Sequence, residues 1–165
     1  MSENDKKKIA QRLSTRVATG IMFVELDYLP RHSTPDLAWI RNIYILLSFY
    51  TELLLKAIFI IKGKFTNPDE LKKQLIKMGH DLELIGKKIG NDNLMTFGIK
   101  QIKCVQPYYL IETEGGVFYV EDFTDIRYDF IDGKIRTLKG DEHKMFDKQI
   151  KIMHEINSIL KPLVW

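Results

Sequence analysis

Residues 48–61 read SFYTELLLKAIFII, inside an apolar run from Ile43 to Ile61 that only Ser48, Thr51, Glu52 and Lys56 interrupt. At 100° per residue, Ile43, Leu46, Leu47, Tyr50, Leu54, Ile58 and Ile61 share one face of a helix. Glu52 and Lys56 fall on a different face, together with Ile45, Phe49 and Phe59. That second face is apolar too, and a helix apolar all round is enclosed all round. The segment is therefore expected at the centre of a domain, covered by other helices, by a strand pair or by a second copy of the chain. A homodimer is the expected assembly, since two-fold pairs are the commonest oligomers.

The same run is long enough to approach the width of a bilayer. Glu52 and Lys56 near its centre would each cost roughly 2–4 kcal/mol there. A buried helix of a water-soluble domain fits better, and no membrane partner is expected. Glu52 and Lys56 have the favourable acid-first order for an i, i+4 pair. Among apolar neighbours each charge must be matched or its desolvation penalty is large. His80, Arg127 and Arg136 are the candidate partners from outside the helix. Two readings stay open: an ion network that fixes the register of the bundle, or a ligand site built on the same charges.

A chain of 165 residues favours one domain, here taken as 1–165. With 45% hydrophobic and 28% charged residues it is neither disordered nor fibrous. A net charge of +3 is too small to argue nucleic-acid binding by itself and does not exclude it. The single cysteine, Cys104, rules out an internal disulfide and a cysteine-based zinc site and fits a reducing compartment. It reads as a small buried hydrophobe. Met1 to Lys8 is polar and no apolar signal core follows, so a cytoplasmic location is expected.

Outward from the central run, residues 5–28 read as a first helix, with Ile9, Leu13, Val17, Phe23, Val24 and Leu26 at helical spacing. Thr34 can cap the second helix, with Pro35 at its first position and Gly63 as its stop. Asn67 and Pro68 start a short third helix that Gly79 breaks. A fourth begins at His80 or Asp81 and ends near Gly90. Residues 92–105 are ambiguous, with helix favoured for the first half. Residues 107–122, PYYLIETEGGVFYVED, carry a hairpin signal around Glu-Gly-Gly. Asp141 can cap a last helix running to about Lys161, with Phe146, Ile150, Met153, Ile156 and Ile159 or Leu160 inward and Pro162 as its end. The expected fold is mainly α: an antiparallel up-and-down bundle of four to five helices, with a β-hairpin inserted at about 98–122 before the last helix.

Three segments in order, YTELLLKAIFIIKGK (50–64), MGHDLELI (78–85) and DIRYDF (125–130), resemble the HEPN superfamily of small helical bundles. The likeness lies in a Glu-x-x-x-Lys helix, a His-Asp-Leu segment at a helix start and an Arg-Tyr before a long last helix. It spans residues 40–160, and the stretch from about Gly98 to Asp122 departs from the compact form of the family. The resemblance implies one of two functions. Some members are metal-independent ribonucleases, often dimeric, with four to six residues between an arginine and a histidine. Others lack that pair and bind nucleotides, RNA or a protein partner.

From Arg127 the segment RYDFID places Asp132 where the histidine belongs, and Tyr128 replaces the polar residue usual after the arginine. An aspartate with an unperturbed pKa near ~4 is a poor proton donor at neutral pH. RTLKGDEH, Arg136 to His143, has six intervening residues but also Thr137, a Gly140–Asp141 interruption and two acids that would repel phosphate. The expected function is thus a non-catalytic HEPN-like binding or regulatory protein, with Glu52, Lys56, His80, Asp81, Arg127 and Tyr128 as the binding residues. The alternative is a toxin- or defence-type ribonuclease using Arg136 and His143. No cofactor and no metal are expected. His143, Asp147 and His154 share a helix stripe but are too spread for one ion, and no phosphate-loop motif occurs. The hairpin tyrosines and phenylalanines could stack bases, although burial against the helices is the commoner fate of such rings.

Overall fold

A capping box starts the first helix of the computed structural model, which describes residues 1–28, 37–106, 108–122 and 142–165. Ser2 Oγ accepts the Asp5 amide at 3.1 Å and the Asp5 carboxylate accepts the Ser2 amide at 3.2 Å. Helix α1 (Glu3–Phe23) then runs into a π-helical turn, Val24–Tyr28. Its buried stripe is Lys6, Ala10, Ser14, Val17, Gly20 and Ile21, continued by Val24. Of the expected stripe, Phe23 and Leu26 instead lie 46% and 66% exposed. Small residues win this face because α2 comes close: a methyl group at position 20 would sit inside the Tyr50 ring. Lys6 is buried because its Nζ donates to the Gly63 carbonyl at 3.0 Å, a cation at the negative end of α2.

Helix α2 (Leu37–Lys62) is the central element. Ile43, Leu47, Leu54 and Ile58 are buried on the expected face, and Leu46, Tyr50 and Ile61 are half-buried. The opposite flank is covered as well, with Leu55 and Phe59 buried. By length and composition Ile40–Lys62 could cross a membrane, and 67% of its most apolar window is buried within the protein. The pairs Lys6–Gly63 and Gly20–Tyr50 set α1 and α2 in opposite directions.

Asn67 caps α3 (Pro68–Met78) by accepting the Glu70 amide at 2.9 Å, with Pro68 in the first turn where no amide donor is needed. Gly79, at φ 55, stops it. Asp81 caps α4 (Leu82–Ile89) through the Leu84 amide at 2.9 Å, and α5 (Asn91–Met95) follows. The ambiguous stretch therefore divides. Its first half is helical, and its second is a strand, β1 (Ile99–Val105). With β2 (Tyr108–Thr113) and β3 (Gly116–Glu121) it makes an antiparallel sheet of three strands, ordered β1-β2-β3, where a two-stranded hairpin was expected. An irregularity between Ile99 and Gln101 breaks the alternation of β1, which hides its period of two in the sequence. Ile102, Ile111 and Phe118 form a buried cross-strand row against the helices.

Helix α6 (Glu142–Val164) turns Phe146, Ile150, Met153, Ile156 and Leu160 inward, leaving Ile159 at 40% exposure. Pro162 lies inside the helix rather than ending it. So near the terminus it removes one hydrogen bond only, and the buried Val164 holds the final turn in place. Ser14 Oγ donates to Asn157 Oδ1 at 2.7 Å, tying α1 to α6. Tyr44 meets Phe146 edge-on at 4.9 Å, tying α2 to α6. Ser48 Oγ donates to the Glu121 carbonyl at 2.8 Å, tying α2 to the sheet. The protein is mainly helical, with its small sheet before the last helix. The expected caps Thr34 and Asp141, and Pro35, lie outside the described residues.

Candidate functional site

One turn of α2 brings Glu52 and Lys56 to the same flank, and the turn between α3 and α4 closes over them. Lys56 Nζ lies 2.5 Å from Glu52 Oε1 and donates to the Gly79 carbonyl at 2.8 Å. His80 Nδ1 lies 2.7 Å from Glu52 Oε2. Glu52 is the deepest member, its side chain 4% exposed against 15% for Lys56 and 45% for His80. Both carboxylate oxygens are thus engaged, as burial of a charge requires. The hydrogen bond to Glu52 uses Nδ1 and fixes the plane of the ring. The sequence pointed to His80 as a partner of Glu52. The Gly79 carbonyl was not anticipated, although a glycine that stops a helix also presents the last carbonyls of that helix.

Asp81 stands next to this group but serves as the cap of α4, its carboxylate accepting the Leu84 amide. Arg127, Tyr128 and Arg136 lie outside the described residues, as does the side chain of His143 in the first turn of α6. The structure therefore unites Glu52, Lys56 and His80 and assigns Asp81 a backbone role.

The helix leading into His80 has a cationic outer face. Lys72, Lys73 and Lys77 are exposed on α3, and only Leu71 and Met78 of that helix are buried. Lys73 and Lys77, one turn apart, share the outer face of α3. Of the acids nearby, Glu70 is committed: hydrogen bonds from the Thr66 amide and hydroxyl hold its carboxyl below the usual range. On the far side of α4, Glu83 is lowered chiefly by the hydrogen bond from Lys87 and next by the Cys104 amide. These lysines escaped the sequence reading because each reads singly as a solvated surface residue.

A second cluster lies between the π-helical turn and α6. Glu25, Asp147, Ile150, Lys151, His154 and Glu155 line an open cleft of about 430 Å³. His154 Nε2 is 3.1 Å from Glu25 Oε2, and both side chains are at least 40% exposed, so the pair adds little to stability. Among the described residues no three His, Cys, Asp or Glu side chains gather as a metal site. No family model, curated protein or solved structure matches the chain.

Proposed function

We propose that the chain is a HEPN-like binding protein, a cytoplasmic homodimer built on an antiparallel helical bundle, that holds RNA or a nucleotide at the turn between α3 and α4 without cleaving it. The observation that carries this reading is the buried Glu52 carboxylate gripping Nδ1 of the half-exposed His80. A ring fixed before the ligand arrives loses little rotamer freedom on binding. The ammonium groups of Lys73 and Lys77 are donors suited to phosphate oxygens, and the half-exposed ring of His80 offers a planar face to a base. The non-catalytic part of the reading rests on the sequence, where Asp132 stands in place of the family's histidine after Arg127.

Binding of labelled RNA and of a fluorescent nucleotide tests the proposal. Lys73→Glu with Lys77→Glu is expected to weaken binding about tenfold or more at low salt, and His80→Ala by about fivefold. RNA incubated with the protein and EDTA is expected to stay intact. Cleavage lost in His143→Ala would instead establish the ribonuclease alternative. Binding of neither ligand would leave a protein partner as the remaining class. Light scattering is expected to give twice the 19.4 kDa chain mass, and a monomer at micromolar concentration would remove the dimer.

A further inference from the structure

The solvent face of α1 carries a row of cations that no acid interrupts. From Lys6 to Val24 the sequence holds five basic residues and no aspartate or glutamate. Lys6 turns inward to the Gly63 carbonyl. The exposed positions that follow are Lys7, Lys8, Arg12, Thr15, Arg16 and Thr19, each a hydrogen-bond donor. Lys8, Arg12 and Arg16 recur every four residues, so they follow one another along one side of the helix in steps of about 6 Å. That step is close to the separation of successive phosphates along an extended nucleic-acid strand.

The neighbouring elements leave this row unopposed. Among the described residues no carboxylate pairs with Lys8, Arg12 or Arg16. Asp5, one turn before Lys8, is held by the Ser2 amide and hydroxyl, and Glu3 pairs with Lys6. The only acid of α2 is the buried Glu52. On α6, which meets α1 through Asn157 and Ser14, the exposed Lys161 lies one turn beyond Asn157 and adds a further cation. Glu25, Asp147 and His154 gather in the cleft beyond Thr19, and Glu155 lies against Gly115 at the turn between β2 and β3. The exposed Met22, Phe23 and Leu26 lie past the row rather than within it. A lipid surface would need apolar groups among the cations, whereas a phosphate backbone needs only the donors.

We infer that the outer face of α1 is a path for the phosphate backbone of RNA, with Lys8, Arg12 and Arg16 each meeting one phosphate and the Thr15 and Thr19 hydroxyls donating beside them. The inference rests on the reading of the ligand as RNA but uses residues separate from those around His80. Contacts to phosphate fix where a strand lies and carry no sequence information, so this face holds RNA of any sequence.

Fluorescence anisotropy of the full chain with labelled oligouridylate and oligoadenylate, at several salt concentrations, provides the test. Arg12→Gln with Arg16→Gln is expected to weaken binding of both about tenfold at low salt. It is also expected to reduce the slope of log affinity against log salt by about 1.4, the share of two phosphate contacts on a single strand. Arg12→Lys with Arg16→Lys, which keeps the charge at the same exposed positions, is expected to preserve affinity and slope. Wild-type affinity and slope in the glutamine pair overturn the path, as does binding to phosphatidylserine vesicles without binding to RNA. If the glutamine pair binds normally and Lys73→Glu with Lys77→Glu does not, the path falls and the His80 site stands. The converse pattern leaves the path and removes the His80 site. Weakening by both pairs supports both, and no RNA binding at all removes both.

Discussion

The carboxylate of Glu52 lies 2.7 Å from Nδ1 of His80, a residue 28 positions later in the chain, while its other oxygen lies 2.5 Å from Lys56. Truncating Glu52 would strand the Lys56 ammonium in an enclosed site and release the turn between α3 and α4. Breaking a buried pair from one side costs about 3–5 kcal/mol, and Glu52→Ala is expected to lose that much in urea melts. Glu52→Leu combined with Lys56→Met should lose less than the single change, because no orphan charge remains. A loss below about 1 kcal/mol for Glu52→Ala would mean that the network is solvated and marginal.

His80→Ala separates anchoring from recognition. Its side chain is 45% exposed, so its pair with Glu52 is discounted for screening to about 1 kcal/mol or less. The melting temperature should move little while affinity for RNA falls. The two effects are read from one preparation by thermal melt and anisotropy. A large drop in stability with unchanged affinity would make His80 a structural latch only.

The central helix was legible because its two apolar faces and its i, i+4 charge pair are local patterns. Enclosure followed from them, and so did the search for a partner such as His80. The caps Asn67 and Asp81 and the stop at Gly79 were legible for the same reason. The packing face of α1 was not. Its contacts use Lys6, Ser14 and Gly20, residues whose burial depends on the Gly63 carbonyl just past α2, the Asn157 side-chain amide of α6 and the ring of Tyr50. Strand β1 was hidden by its irregular register, and the helical course through Pro162 by the buried anchor beyond it. The lysines on the outer face of α3 gain meaning only when that helix is placed in space.

Gly20 sets how closely α1 approaches α2. A Cβ at this position would overlap the Tyr50 ring, so the ring or the helix must shift. Helix propensity alone would favour alanine by about 1 kcal/mol, whereas overpacking costs about 1–3 kcal/mol. Gly20→Ala is therefore expected to be destabilising, and Tyr50→Leu in the same chain should restore part of the loss. A stabilised Gly20→Ala in chemical denaturation would show that the contact yields readily.

Alkaline pH offers a test of the inner face of the sheet. Tyr109 is 4% exposed and donates its hydroxyl to Asp122 Oδ2 at 3.0 Å. Burial first, and then the Asp122 charge and hydrogen bond, raise its pKa well above the ordinary 10.0. A raised folded value means that the contribution to stability is complete below the unfolded value. It falls as pH climbs past 10.0 toward the folded one, because the unfolded chain releases the proton while the folded chain keeps it. Lys87, raised chiefly by its hydrogen bond with Glu83, weakens over a similar range, but it does so equally in a Tyr109 variant. Tyr109→Phe is expected to cost about 1 kcal/mol at neutral pH through the lost hydrogen bond. It should also flatten the decline seen in urea melts between about pH 9 and pH 11. Parallel declines in the two proteins would show that the phenol is not held protonated by the fold.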